Sequence, residues 1–164
     1  MIGTLRTGTS LPDSIRELAI CRIAALNRAE HEWGWHFPLL KAALPSVHAQ
    51  LVDYVRNAAP LSGFPIAETG GEKLREVLRQ KINASQNGTE FDARHVATLA
   101  YVDFMTKAVD VPDEVFALIR QRFDDKEIIE LTATVAMYNG VSRFLVALNV
   151  GEDTWDSNRY KVGG

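Results

Sequence analysis

Between residues 12 and 26 the apolar side chains Ile15, Leu18, Ala19, Ile20, Cys21, Ile23, Ala24, Ala25 and Leu26 cover most of a helix's circumference. That is the pattern of a helix buried on several sides. Glu17 and Arg22 interrupt that apolar surface. Asn27 and Glu30 stand at capping-box spacing, which predicts a break near Asn27 and a second helix over about 28–43, kinked or shortened by Pro38. Val47, Leu51, Tyr54 and Val55 predict a third helix that ends before Pro60. Residues 60–71 hold Pro60, Gly63, Pro65, Gly70 and Gly71, so a loop is expected there. Leu74, Val77, Leu78 and Ile82 recur at helical spacing among charges and predict an exposed amphipathic helix over 72–82, followed by a polar, turn-like stretch over 83–89. Two more helices are expected over 92–108 and 112–122. The last begins at Asp124, with Glu127 in capping-box register, and runs through Ile128, Leu131, Val135, Phe144 and Leu148 toward Val150. At about 1.5 Å per residue it reaches nearly 40 Å, more apolar girth than a small monomer covers, which points to a subunit interface; Gly140 is expected to mark a close helix crossing. No segment alternates apolar and polar residues between hairpin turns, so the fold class is all-α.

Composition narrows the function more than the fold. A chain of 164 residues fits one domain, 1–164, with a core of its own. The net charge of -3 and isoelectric point near 5.8 provide no overall basic field, so nucleic acid is not an expected partner. The lone cysteine, Cys21, rules out an internal disulfide and any two-thiol redox pair, and its apolar surroundings predict a buried, inert thiol. No stretch approaches the roughly 20 apolar residues of a membrane span, and the opening residues carry no apolar run. A soluble, cytoplasmic protein is therefore expected, and the Asn83 and Asn87 glycosylation-type triplets are read as chance.

Chemistry concentrates in Glu30-His31-Glu32-Trp33-Gly34-Trp35-His36. Glu32 and His36 stand four apart, so on a helix they share a face and can tune each other's pKa. Apolar surroundings push a carboxyl toward its neutral, proton-donating form, whereas an imidazolium pulls it back toward ionisation. The sequence leaves that contest open. Trp33 and Trp35 cannot point the same way, so at most one lines a pocket. Glu17, inside an apolar helix, needs a partner, either Arg22 or a residue of another helix. Tyr101, Asp103, Tyr138 and Asn139 are polar groups within expected buried helices, most simply hydrogen-bonded core residues, while His48 and His95 have no accompanying cluster. Glu17, His31, Glu32 and His36 include metal-ligand types but lack the paired-histidine zinc pattern, so no metal is expected.

The run Arg16-Glu17-Leu18-Ala19-Ile20-Cys21-Arg22-Ile23-Ala24, continuing through Glu30 to His36, resembles the signature region of the carboxymuconolactone decarboxylase family, which has the AhpD-like helical fold. Val111 to Phe116 and the stretch from Asp125 through Phe144 are similar to further blocks of that family. The resemblance implies that Glu17 matches a proton-relay glutamate and His36 a histidine, with Ala29 and Glu32 at the two cysteine positions of the alkylhydroperoxidase branch. It thereby implies a cofactor-independent decarboxylase or related lyase acting on a small cyclic carboxylic acid or lactone. Glu17, Glu32 and His36 would be catalytic, with His36 as general acid or enolate stabiliser, Glu32 setting its protonation state and Glu17 relaying or orienting. His31, Trp33 and Tyr138 are assigned to substrate binding. A homo-oligomer, trimer or hexamer, is expected by the same resemblance. Residues 60–90 and the short segment before the signature depart from the family pattern. A peroxidase-like reductase and a noncatalytic oligomeric binding protein are the alternatives.

Overall fold

A computed structural model of the chain describes residues 8–44, 54–63, 76, 80 and 93–151. The first helix, α1, spans Asp13–Asn27 and follows directly on Pro12. Its end is a Schellman closure: Arg28 takes a left-handed conformation, φ 58°, with Arg28 N–H donating to the Ala25 carbonyl and Ala29 N–H to that of Ala24. The break foreseen near Asn27 is present, but its cause is different. Asn27 closes α1 instead of capping the next helix, and its side-chain amide donates to Asn139 Oδ1 at 3.0 Å and Ser142 Oγ at 2.7 Å. The second helix, α2, spans Glu30–Ala43, entered from Ala29 without a side-chain cap. Pro38 lies inside it without ending it.

Residues 54–57 are helical, the described end of the expected third helix, and Leu61–Gly63 form a single 3-10 turn. The rest of that helix, of the 60–71 loop and of the 83–89 turn lies outside the described residues. Of the expected 72–82 helix, residues 76 and 80 are described; both are helical, with Gln80 donating to Glu76 at 2.9 Å. Helix α3 spans Ala93–Lys107, α4 spans Asp113–Arg120 after Pro112, and α5 spans Asp125–Ala147. The capping box at the start of α5 is complete: Glu127 N–H donates to Asp124 Oδ1 at 2.8 Å, and Asp124 N–H to Glu127 Oε2 at 3.1 Å. No strand occurs among the described residues, and the architecture is all-α.

Helix α1 is the centre of the packing, against α2 on one side and α3 and α5 on the other. Its residues 15–24 are all buried, as its apolar circumference demanded. Ile15, Ala19, Ile20 and Ile23 join a core with Ala97, Phe104, Val115, Ile119, Leu131 and Val135. Leu18, Cys21 and Ala24 join a second cluster with Trp33, Leu40, Val55 and Leu99.

The charge of Arg22 is matched by Asp103 of α3, not by Glu17. Arg22 Nε donates to Asp103 Oδ1 at 2.6 Å and Nη2 to Oδ2 at 3.1 Å. The remaining guanidinium hydrogens reach the Val55 and Ala58 carbonyls, and Leu61 N–H donates to Asp103 Oδ2 at 2.8 Å. One buried pair thus staples the 54–61 segment to two core helices, with nearly every donor and acceptor used. Tyr101 and Asn139 are likewise hydrogen-bonded, to Thr132 and to Asn27 and Thr106.

Helix α5, at 23 residues, extends about 35 Å and leaves Ile129 and Phe144 exposed at 69% and 62%. Gly140 is not a crossing point among the described residues, because a Cβ there would meet nothing of theirs within 4 Å. No described helix is long and apolar enough to cross a membrane.

Candidate acid–base site

The site lies where α1, α2 and α5 meet. Glu17 projects from the central helix and is 2% exposed, a position in which an ionised carboxylate must be matched. Its Oε2 lies 2.8 Å from His36 Nδ1, and its Oε1 lies 3.4 Å from Arg16 Nε. Arg16, itself buried, also bonds the exposed Asp13 at 2.8 Å. A carboxylate only accepts hydrogen bonds, so the imidazole donates through Nδ1–H and Nε2 remains the free nitrogen. No hydrogen bond within the described residues occupies Nε2. The ring of His36 meets that of Tyr138 edge-on, with centroids 5.1 Å apart at 88°. Glu17 thus fixes both the tautomer and the plane of His36.

Glu32, one turn before His36 on α2, has a different environment. It is 3% exposed, and among the described residues neither carboxyl oxygen has a hydrogen-bond partner. Burial pushes its carboxyl from 4.5 up to about 8, so at neutral pH it holds its proton. The shared helix face did not produce the expected Glu32–His36 pair. His36 turns to the carboxylate of α1, where Arg16 already helps to hold a charge, and Glu32 is left in apolar surroundings. Two carboxyl groups on adjoining helices therefore have opposite roles, Glu17 as acceptor and Glu32 as potential donor.

Cys21 lies one turn after Glu17 and is fully buried. Burial, followed by the nearby Glu17 and Glu32 charges, raises its thiol far above the ordinary range. The inert thiol expected from sequence is what the packing produces.

The remaining candidates separate. Tyr138 packs on His36, but His31 and Trp33 face elsewhere. Trp33 stacks on Phe37 at 5.0 Å, has the Arg56 guanidinium 4.8 Å from its ring centroid, and borders a cavity of about 180 Å³ with Ala25, Glu30 and Asn57. Trp35 is 70% exposed. His31 is exposed, lies against Gly151, and lines a cavity of about 240 Å³ between the start of α2 and the end of α5. A Cβ at Gly151, φ 85°, would collide with the His31 ring, so glycine is required there both for conformation and for space. Sequence reading missed Arg16, whose signal was its place beside Glu17 within an otherwise apolar run. Among the described residues no group of three His, Cys, Asp or Glu side chains is arranged to hold a metal ion. No protein-family model, curated protein or solved structure matches the chain.

Proposed function

We propose that the chain is a cofactor-independent decarboxylase or related lyase acting on a small cyclic carboxylic acid or lactone, of the carboxymuconolactone decarboxylase type. The observation that carries this reading is Glu32, a buried, unpartnered carboxyl held in its protonated form one turn from an imidazole oriented by Glu17. Loss of carbon dioxide breaks the bond to the departing carboxyl carbon and leaves its electron pair on the ring as a carbanion or enolate. A proton must then reach carbon, and a general acid with a pKa near the working pH is the most effective donor. Glu32 supplies that proton and is reprotonated from solvent. His36 in its protonated form binds the enolate oxygen through Nε2–H, and Glu17 orients the ring through Nδ1. Glu32 thus acts directly as donor in this scheme, not as a regulator of His36.

The AhpD-like bundle, its assembly as a trimer or hexamer, and its cytoplasmic location belong to the same proposal. Exposed Ile129 and Phe144, with Ala133, Ala136 and Gly140 between them on α5, support assembly as a face that a second copy can cover. A thiol-based reductase is disfavoured by the burial of Cys21. The noncatalytic reading has two observations in its favour: both oxygens of Glu17 are occupied, by Arg16 and His36, and neither of the two cavities described above is lined by Glu17, Glu32 or His36.

The test is carbon dioxide release from 4-carboxymuconolactone by the purified protein, with His36→Ala and Glu32→Gln measured beside it. Release by the wild type and a loss on the order of 10²–10⁴ in either variant is the expected result for a general acid and its oriented partner. No release by the wild type, or release untouched by both substitutions, would overturn the proposal.

A further inference from the structure

Three cations converge at the carboxyl end of α1. Lys107, the last residue of α3, donates through Nζ to the Leu26 carbonyl. Arg143 of α5 donates to the carbonyl of Thr106, the neighbour of Lys107, at 3.4 Å, and to the Asn139 carbonyl and side chain at 3.2 and 3.1 Å. Arg28, two residues beyond Leu26, is exposed, and its guanidinium forms no hydrogen bond or ion pair among the described residues. Among the described residues the cluster is electrostatically unbalanced: burial, then Arg143, Arg28 and Arg22, lower the Lys107 pKa, and Asp103 alone opposes them. Asp103 is committed to Arg22. Helix-end carbonyls account for one hydrogen bond from Lys107 and some of those from Arg143. They do not account for Arg28, whose charge acts on Lys107 in a chain whose net charge is -3.

Arg28 also borders the cavity of about 240 Å³ that His31, Leu145, Val146 and Asn149 line. Among the described residues its wall holds one carboxylate, Glu30, which is tied to Arg56 at 2.6 Å. This volume falls just below the ~300–1,000 Å³ typical of ligand pockets, which suits a small organic molecule. We propose that Arg28, with Lys107 and Arg143 behind it, binds the anionic group of a small organic phosphate whose apolar body enters the cavity beside His31, Leu145 and Val146. A phosphate matches this cluster because a doubly charged oxyanion offsets several cations at once and its oxygens accept the bidentate fork of an arginine. The site is independent of Glu17, Glu32 and His36.

The experiment is calorimetric titration of the full chain with phenyl phosphate, inorganic phosphate and phenol at low ionic strength. It is repeated on Arg28→Gln and Val146→Trp, each shown to be folded by circular dichroism. Saturable binding of phenyl phosphate, weakened at least about tenfold in Arg28→Gln and by added salt, is expected, because both changes remove charge attraction. Val146→Trp should weaken the ester and leave inorganic phosphate unchanged. Absence of saturable binding, equal affinity in Arg28→Gln, or binding of phenol as tight as the ester would overturn the proposal. Phosphatidylglycerol vesicles are the remaining arm. Sedimentation of the protein with them, without binding of the soluble ester, would overturn it in favour of a lipid headgroup.

Discussion

Replacing Glu32 by glutamine should change how stability depends on pH, and the sign follows from burial. Below pH 4.5 Glu32 is protonated in both folded and unfolded chains, so it contributes no pH dependence. Between 4.5 and about 8 the unfolded chain releases the proton and the folded chain retains it, so stability falls as pH rises. Above about 8 both states are ionised and the full penalty is present. At roughly 1.4 kcal/mol per pH unit, the displacement from 4.5 to about 8 amounts to about 5 kcal/mol in total, of which about 3 is already present at pH 7. That is a large share of the ~5–15 kcal/mol by which domains are stable. The glutamine amide has the same shape but no proton to lose, so its own desolvation adds a constant and no slope. Cys21, Glu17 and His36, the titratable neighbours, are common to both proteins. Urea unfolding at intervals from pH 5 to 8.5 is the assay. The wild-type curve should fall relative to the Glu32→Gln curve by several kcal/mol across that range. Parallel curves would refute the burial argument.

Three further outcomes follow from the packing. Arg22→Met leaves Asp103 buried without its partner, together with the Val55 and Ala58 carbonyls, and should cost about 3–5 kcal/mol in urea unfolding. Cys21 should remain unmodified by a thiol reagent in the folded protein and react fully after denaturation; prompt reaction at neutral pH would contradict its burial. Asp124→Ala removes the acceptor that begins α5 and should destabilise the protein by about 1 kcal/mol, read as a shift in urea midpoint.

Much of the helical framework was legible because its signals are local. The apolar circumference of α1, Pro112 before α4 and the Asp124–Glu127 box each act within a few residues and need no knowledge of tertiary contacts. Asn27 shows the limit of that reasoning. Its spacing to Glu30 mimics a helix start, yet its amide is taken by Asn139 and Ser142 from α5, a choice made by packing. The candidate site divides in the same way. The residue types were visible, but partner choice was not: two arginines, three carboxyl groups and a histidine near α1 allow several pairings, and the geometry selects Arg22 with Asp103 and His36 with Glu17. The isolation of Glu32 is a consequence of that selection, since the imidazole expected to face it was drawn across to another helix. The scatter of His31 and Trp33 onto separate cavities follows from helix rotation, which places neighbours in sequence on different faces.

The protonation state of Glu32 is the point on which the acid–base account depends most directly. It is measured by following the side-chain carboxyl carbon resonances of ¹³C-labelled glutamate as pH is raised, with Glu32 identified by the signal missing from Glu32→Gln. The account predicts a carboxyl that keeps its proton through neutral pH and titrates near 8. A Glu32 resonance that titrates near 4.5, the ordinary value, would contradict it.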